Sequence, residues 1–543
     1  MRRLLTLGLG VAALFFGASA EAATFRVGPG EQYSNIDDSL LNQVAPGDVI
    51  EVMGDNTYPG TWWFDPENGG TAEKPVTVRG VPVNGKLPVV QGVGSGEWED
   101  FVVLFYANHF VFENFEVIGD GDENHSCLVN KADQVTVRNV VVHGCGRHGL
   151  LGADDESGSL TVEYSEFYAN GGGLYYHQIY AATDESTYPG SVFRLQYCYI
   201  HDGNGGNNVK SRAERNEIYF NWIEGALYHE LDLIGPDGQD ASLAREDSDI
   251  VGNVLIKHSE WRIARIGGDG TGSTGGRYRF VNNTMILGPE ADRVIGLQEE
   301  VQSVEMHNNV IYRAAGPAQM FRHNEQIGAD ATHIGSFNWV QPGWTDVPSA
   351  WTDTVEGSDP GFTDLAGFDF RPRAGSPLID AGTSDTAASG AFAFPSALTD
   401  VGYVPPSRAA VPPGSALVRS AVGALDIGAF EFGSGTVPGP GLGGGAGQAG
   451  SGQGGSSGSG GNSGSGGMAQ GGSSGSGGNG SGGSSGSGGS VAAAGAGDDS
   501  GCGCRAAGDR NAGSRQALSA WALLGAAIGL RRRRARAGRQ PLA

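Results

Sequence analysis

The chain is 543 residues long, with 93 glycines, 35 basic and 60 acidic side chains, and a formal charge of −25. That charge excludes a broad nucleic-acid or anionic-membrane surface, while the length admits several ordinary domains or one long solenoid. Only three of the five cysteines, Cys127, Cys145 and Cys198, lie in the body of the chain, and the odd count leaves at least one unpaired, so no disulfide framework is assumed.

Met1-Arg2-Arg3 precedes an apolar run from Leu4 to Gly17 and the small residues Ala18-Ser19-Ala20. A charged start, an apolar stretch and a small-residue cleavage site together read as a secretory leader. Cleavage after Ala20 or Ala23 starts the mature chain near Thr24, so residues 1–23 are assigned to the leader and 24–432 to the body. Next, Tyr33-Ser34-Asn35-Ile36 leads through Leu40 and Leu41 to Pro46-Gly47-Asp48-Val49-Ile50, a segment whose likeness to a capping helix and first strand is taken up below with the family it resembles.

From about residue 108 to 325 one pattern recurs: an apolar residue, then a small polar residue two or three positions later, then more apolar residues. Copies include Phe112-Glu113-Asn114-Phe115, Val137-Arg138-Asn139-Val140, Val162-Glu163-Tyr164-Ser165 and Leu195-Gln196-Tyr197-Cys198. The series continues through Asn221, Asn253, Asn283 and Asn309, at spacings of 23 to 33 residues. The intervening residues are rich in Val, Ile, Phe and Tyr between turn residues, and no amphipathic helix of useful length interrupts them. Repeated coils of three short strands and three turns predict an all-β fold, a right-handed single-stranded parallel β-helix with an N-terminal cap. A buried Asn at one turn then bonds its equivalents above and below, and Cys198 fills the same column as a packing residue.

The richest chemistry lies in Gly205-Gly206-Asn207-Asn208-Val209-Lys210-Ser211-Arg212-Ala213-Glu214-Arg215. With Val209 and Ser211 inward, strand alternation predicts Asn208, Lys210 and Arg212 outward. In the next coil, Leu231 and Leu233 inward leave Glu230 and Asp232 outward. One coil further lie Trp261 and Arg262, with Arg265 joining if the strand is bulged; one coil earlier lie Tyr176, Gln178 and Tyr180. Neighbouring strands sit about 4.8 Å apart, so these side chains are expected to form one patch of aromatic, basic and acidic groups. Asp232, Asp237 and Asp240 are candidate calcium ligands, since hard oxygen donors suit that ion; no organic cofactor is expected. Gly267-Gly268-Asp269-Gly270-Thr271-Gly272 reads as a loop, because no helix follows it to hold a nucleotide.

The body closes with Asp359-Pro360-Gly361-Phe362 and Gly375-Ser376-Pro377-Leu378-Ile379-Asp380. Residues 433–497, almost wholly Gly, Ser, Asn and Gln, cannot bury apolar surface and read as a disordered linker. The tail, 498–543, holds Cys502 and Cys504, a short apolar run from Ala517 to Leu530, and Arg531-Arg532-Arg533-Arg534. Setting aside two leader arginines and the tail's nine arginines and three aspartates leaves 24 basic and 57 acidic residues, a formal −33.

The capping segment, the coils and the closing segments resemble the pectin-lyase-like superfamily, which includes lyases, hydrolases, epimerases and non-catalytic adhesins. The cysteine pair, apolar run and arginine cluster resemble the myxobacterial C-terminal sorting tail. That resemblance implies processing at Cys502 and Cys504 by a sorting machinery, and display at the cell surface or secretion. Three functions fit the patch. A uronate polysaccharide lyase would use Lys210 as the base of a β-elimination, with Arg212, Arg215 or Arg262 neutralising the substrate carboxylate. This looks like the Lys and Arg arrangement of β-helical pectate and alginate lyases. A glycoside hydrolase would use Glu230 and Asp232 as its carboxylate pair. The β-helical polygalacturonases, however, carry a series of which only Asp154-Asp155 after Arg147-His148-Gly149 has a counterpart here. A glycan-binding or adhesin protein would bind through Tyr176, Gln178, Tyr180, Asn208, Trp261 and Arg265 without cleavage. A cross-coil salt-bridge ladder through Lys210, Arg212, Glu230 and Asp232 is the purely structural alternative. The first reading is favoured, with acidic polysaccharide as partner, no nucleic acid and a monomeric state expected.

Overall fold

The computed structural model describes residues 22–94, 100–235, 247–269, 274–291, 293–323, 331–386 and 401–435. Among them, short apolar-rich strands return coil after coil to three parallel sheets. The first sheet runs from Thr24–Val27 to Thr332–Ser336, the second from Thr57–Pro59 to Val355–Glu356, and the third from Trp62–Phe64 to Gln319–His323. This is a parallel β-helix. Its register is strict: Val103, Leu128, Leu150, Ile179, Val209, Leu231, Ala264, Ile295 and Phe321 form one inward file of the third sheet. All nine are buried in one core continuous between coils. Each such large apolar side chain contributes about 1.5–3 kcal/mol on transfer from water.

The first two sheets meet at a sharp bend. There the backbone enters the left-handed region at Asn114 (φ 67°), Asn139 (φ 52°), Tyr164 (φ 53°), Tyr197 (φ 57°), Phe220 (φ 56°), Asn282 (φ 53°) and Asn308 (φ 56°). The next residue in each coil turns inward. From Cys198 onward, backbone N–H groups donate to the Oδ1 atoms of Asn221, Asn253, Asn283, Asn309 and Asn338 one coil later, at 2.8–3.0 Å. Every amide also donates back to a main-chain carbonyl, so the fully buried ladder leaves no amide nitrogen unmet. The expected column therefore holds from Ser165 onward but slips at its start. Asn114 and Asn139 occupy the bend, and the ladder position belongs to Phe115 and Val140, whose N–H at Val140 meets Ser165 Oγ at 3.1 Å. Asparagine suits both places, because it tolerates positive φ and can bond within a turn.

The N-terminal end is closed by the four-residue helix Asp38–Leu41, capped by the Asp37 side chain at Ser39 N–H and burying Leu40 and Leu41. The strand Val49–Met53 is the second of the first sheet, not its first, because Thr24–Val27 pairs alongside it. Cys127 and Cys145 form a disulfide, and Cys198 is a buried free thiol inside the ladder.

Two walls of the prism are occupied. On the second sheet, Phe362, Phe370, Leu378, Ile427 and Phe430 from the chain beyond the coils pack over Tyr199, Trp222, Val254, Val310 and Trp339. On the first sheet, Arg79, Glu113, Arg138 and Glu163 form a cross-coil ion ladder at 2.6, 3.2 and 2.6 Å. Further along, Arg215 pairs with Glu217 (3.1 Å) and Asp249 (2.6 Å), and Arg279 pairs with Asp249 (2.7 Å). Arg215 thus belongs to the first sheet and is removed from the expected patch: the turn between Arg212 and Arg215 carries the chain around a corner.

Candidate site on the third wall

The outer face of the third sheet carries a middle file in strict register: Trp63, Leu104, Val129, Leu151, Tyr180, Lys210, Asp232, Arg265, Gly296 and Arg322. As expected, Tyr180, Lys210 and Asp232 are direct neighbours on it; Arg265, placed there by the sequence only with a bulge, follows Asp232 because Ile263 and Ala264 both point inward. Arg212 lies on the same wall two residues beyond Lys210, opposite Ala182.

Each charge has a definite environment. Arg265 donates twice to Asp232, at 2.6 and 2.9 Å, and Asn207 Nδ2 donates to the same carboxylate at 2.9 Å. Arg212 donates to Tyr180 Oη (3.0 Å), Gly235 O (2.5 Å) and Asp269 (2.7 Å). Lys210 differs. Its Nζ stands 4.6 Å over the Tyr180 ring and, among the described residues, has no ion pair or hydrogen-bond acceptor. Burial, with Arg212 and Arg265 nearby, pushes its ammonium down to about 8.

A second file, which sequence reasoning missed as site residues, stands three residues before the middle one: His148, His177, Asn207 and His229. His148 Nδ1 accepts the N–H of His177 (3.0 Å), His177 Nδ1 accepts that of Asn207 (2.9 Å), and Asn207 Oδ1 accepts that of His229 (2.9 Å). Burial first, and neighbouring cations second, hold all three imidazoles well below their ordinary pKa, in the neutral form. The signal was available as His177-x-x-Tyr180 and His229-x-x-Asp232, a constant offset from the middle file.

Between the two files, strict alternation fails. Gln178, Asn208 and Glu230 were expected outward, but all three are buried. Their counterparts Val102, Cys127, Ile263, Val294 and Met320 are core residues, so at this corner two successive residues point inward. Gln178 bonds Asn170 and the carbonyls of Phe167 and His201. Asn208 donates to Glu230 (2.6 Å), which also accepts from Ala226 N–H (3.2 Å) and Lys257 (3.5 Å). Burial raises the Glu230 pKa and lowers that of Lys257, so each is pushed toward neutrality. Glu230 and Asp232 thus do not share one face as a hydrolase pair requires.

The remaining expected residues line the edges. Trp261, in left-handed backbone (φ 81°), lies edge-on to Tyr228 at 4.4 Å. Tyr176 is edge-on to His148 at 5.7 Å. Arg262 is buried, and its guanidinium lies over Gly296, where a Cβ would meet it at 2.3 Å. Of the calcium candidates, Asp232 is engaged by Arg265 and Asn207, and among the described residues no three acidic, imidazole or thiol groups converge. Asp237, Asp240, Cys502 and Cys504 lie outside the described residues.

No protein-family model and no curated protein matches the chain. Among solved structures, a pectate lyase aligns at 16% identity over 77% of this chain and 98% of its own, with a TM-score of 0.46. An alginate lyase from Paenibacillus aligns at 15% identity over 56% and 99%, with a TM-score of 0.36. A lacto-N-biosidase from Eubacterium ramulus aligns at 11% identity over 58% and 67%, with a TM-score of 0.33. At these identities and scores, the assignment of this chain to the parallel β-helix rests on its own strand register.

Proposed function

We propose that the third wall binds acidic polysaccharide and cleaves it by β-elimination, with Lys210 as the base. The observation that carries this reading is an amine over the Tyr180 ring, pushed down to about 8, with Arg212 and Arg265 nearby and no carboxylate partner among the described residues. A general base works best when its pKa lies near the working pH. Neutral Lys210 takes the hydrogen on the carbon next to a uronate carboxylate. That carbon's electron pair forms the new double bond, the bond to the glycosidic oxygen breaks, and the departing oxygen takes a proton from water. Arg212 and Arg265 keep the local potential positive, which favours the charge that builds on the substrate carboxylate. No step runs through calcium.

The test is direct. The purified protein is incubated with pectate, alginate and glycosaminoglycans, with and without calcium, while ultraviolet absorbance follows unsaturated uronate. A rise that disappears in Lys210→Ala supports the lyase; retained glycan binding with no product replaces it with a glycan-binding protein.

We further infer that the chain is exported and displayed through its C-terminal tail. The leader supports the first step, and the Cys127–Cys145 disulfide suits an oxidising compartment.

A further inference from the structure

We propose that Tyr180 is the acid of this elimination, positioned by Arg212 and Asp269, and that the wall takes uronates whose abstracted hydrogen and departing oxygen share one ring face. The inference rests on the lyase reading above and narrows it to a substrate class: mannuronate or glucuronate polymers, as opposed to galacturonate or guluronate polymers.

Tyr180 and Lys210 are direct partners in the middle file, one coil apart, and both are partly exposed on the outer face. Lys210 Nζ stands 4.6 Å over the Tyr180 ring, and His148 and His177 meet that ring edge-on at 5.6 and 5.7 Å. The ring is thus held by neighbours that do not need its hydroxyl. The hydroxyl is held separately: Arg212 Nε donates to Tyr180 Oη at 3.0 Å, while Nη1 and Nη2 donate to Gly235 O and Asp269 at 2.5 and 2.7 Å. An arginine has no acceptor, so the hydrogen of the Tyr180 hydroxyl is turned away from it. At 3% exposure and with bonds to three coils, Arg212 is built to support Tyr180 more than to touch substrate.

Atoms and charge balance in the step. Neutral Lys210 takes the hydrogen beside the carboxylate, and that carbon's electron pair becomes the new double bond. As the bond to the glycosidic oxygen breaks, Tyr180 passes its hydroxyl hydrogen to that oxygen. The phenolate left behind lies beside the Arg212 guanidinium, whose charge stabilises it. Water then takes the proton from Lys210 and returns one to Tyr180, so none is gained or lost overall. Base and acid stand in one file about 4.8 Å apart, so a sugar lying against the wall meets both from the same side. Its hydrogen and its departing oxygen must then share a ring face, as they do in mannuronate and glucuronate. In galacturonate and guluronate the two lie on opposite faces.

The full-length protein is assayed on size-matched polymannuronate, hyaluronan (a glucuronate polymer), polyguluronate and polygalacturonate, by the ultraviolet absorbance of unsaturated product. On one of the first two, kcat/KM is expected to be at least tenfold higher than on either of the last two. Tyr180→Phe keeps the ring and removes the hydroxyl, and should lower kcat on the preferred polymer by about 10²-fold or more. On the same uronate carrying 4-nitrophenoxide as its leaving group, which departs without a proton, the loss should stay below about threefold, a split that misfolding cannot mimic. Arg212→Lys, which keeps the charge but cannot make all three bonds, should show the same split more weakly. Preference for polyguluronate or polygalacturonate overturns the inference and leaves the lyase standing, as does a Tyr180→Phe loss that is absent or equal on both leaving groups. No unsaturated product from these or any other acidic polysaccharide overturns both.

Discussion

The first and third walls of the prism both carry rows of Arg, Lys, Asp and Glu, yet they are built to different ends. On the first wall every cation named above meets a carboxylate across the coil: Arg79 and Arg138 share Glu113, and Arg215 and Arg279 share the fully buried Asp249. On the third wall Asp232 and Asp269 occupy Arg265 and Arg212, and Lys210 is left over aromatic carbon. Charge density alone therefore does not mark a site. What sets Lys210 apart is a charge with no ion-pair partner among the described residues, held where burial has moved its pKa.

The widest break in this comparison is expected at Lys210. Lys210→Ala should lower the elimination rate by about 10²–10⁴-fold, the usual share of a positioned base, while leaving the unfolding midpoint nearly unchanged. Asp249→Ala on the first wall should do the reverse. It removes the carboxylate that two buried guanidiniums share and is expected to cost about 3–5 kcal/mol in urea unfolding, with the chemistry intact wherever the protein is folded. A pH series sharpens the contrast: because the Lys210 ammonium is held near 8, kcat/KM should rise about tenfold per unit below that pH and level off above it. A flat profile across pH 6 to 9 would remove Lys210 from the role of base. Asn253→Ala removes the amide that accepts from Asn221 and donates to Asn283, and should cost about 1–3 kcal/mol, read as a lower denaturation midpoint without a rate effect. Least of all, Arg79→Ala, whose side chain is 44% exposed, should change stability by less than about 1 kcal/mol.

The imidazole file adds a stability signature of its own. His148, His177 and His229 titrate lower in the folded chain than in the unfolded one, so the unfolded state binds more protons as pH falls below about 6.5. The stability they contribute is complete above that value and should drain away on acidification, visible as a falling unfolding temperature between pH 7 and 5.

The sequence by itself determined the coil. Runs such as Val209-Lys210-Ser211-Arg212 and the Asn221, Asn253, Asn283 and Asn309 column read as stacked short strands, because one buried file and one hydrogen-bonded turn must repeat at every level. It also put Tyr180, Lys210 and Asp232 on one wall, since period-two alternation holds along the middle of a strand; Arg265 joins them because Ile263 and Ala264 both turn inward. Alternation stops at corners, where two successive residues turn inward, and that sent Gln178, Asn208 and Glu230 to the interior. The tertiary structure alone decided which walls the closing segment and the ion ladder occupy, which guanidiniums are already paired, and that the three histidines are buried. Those are outcomes of stacking between coils, and a lateral contact some 22 to 33 residues away leaves no local trace in either strand.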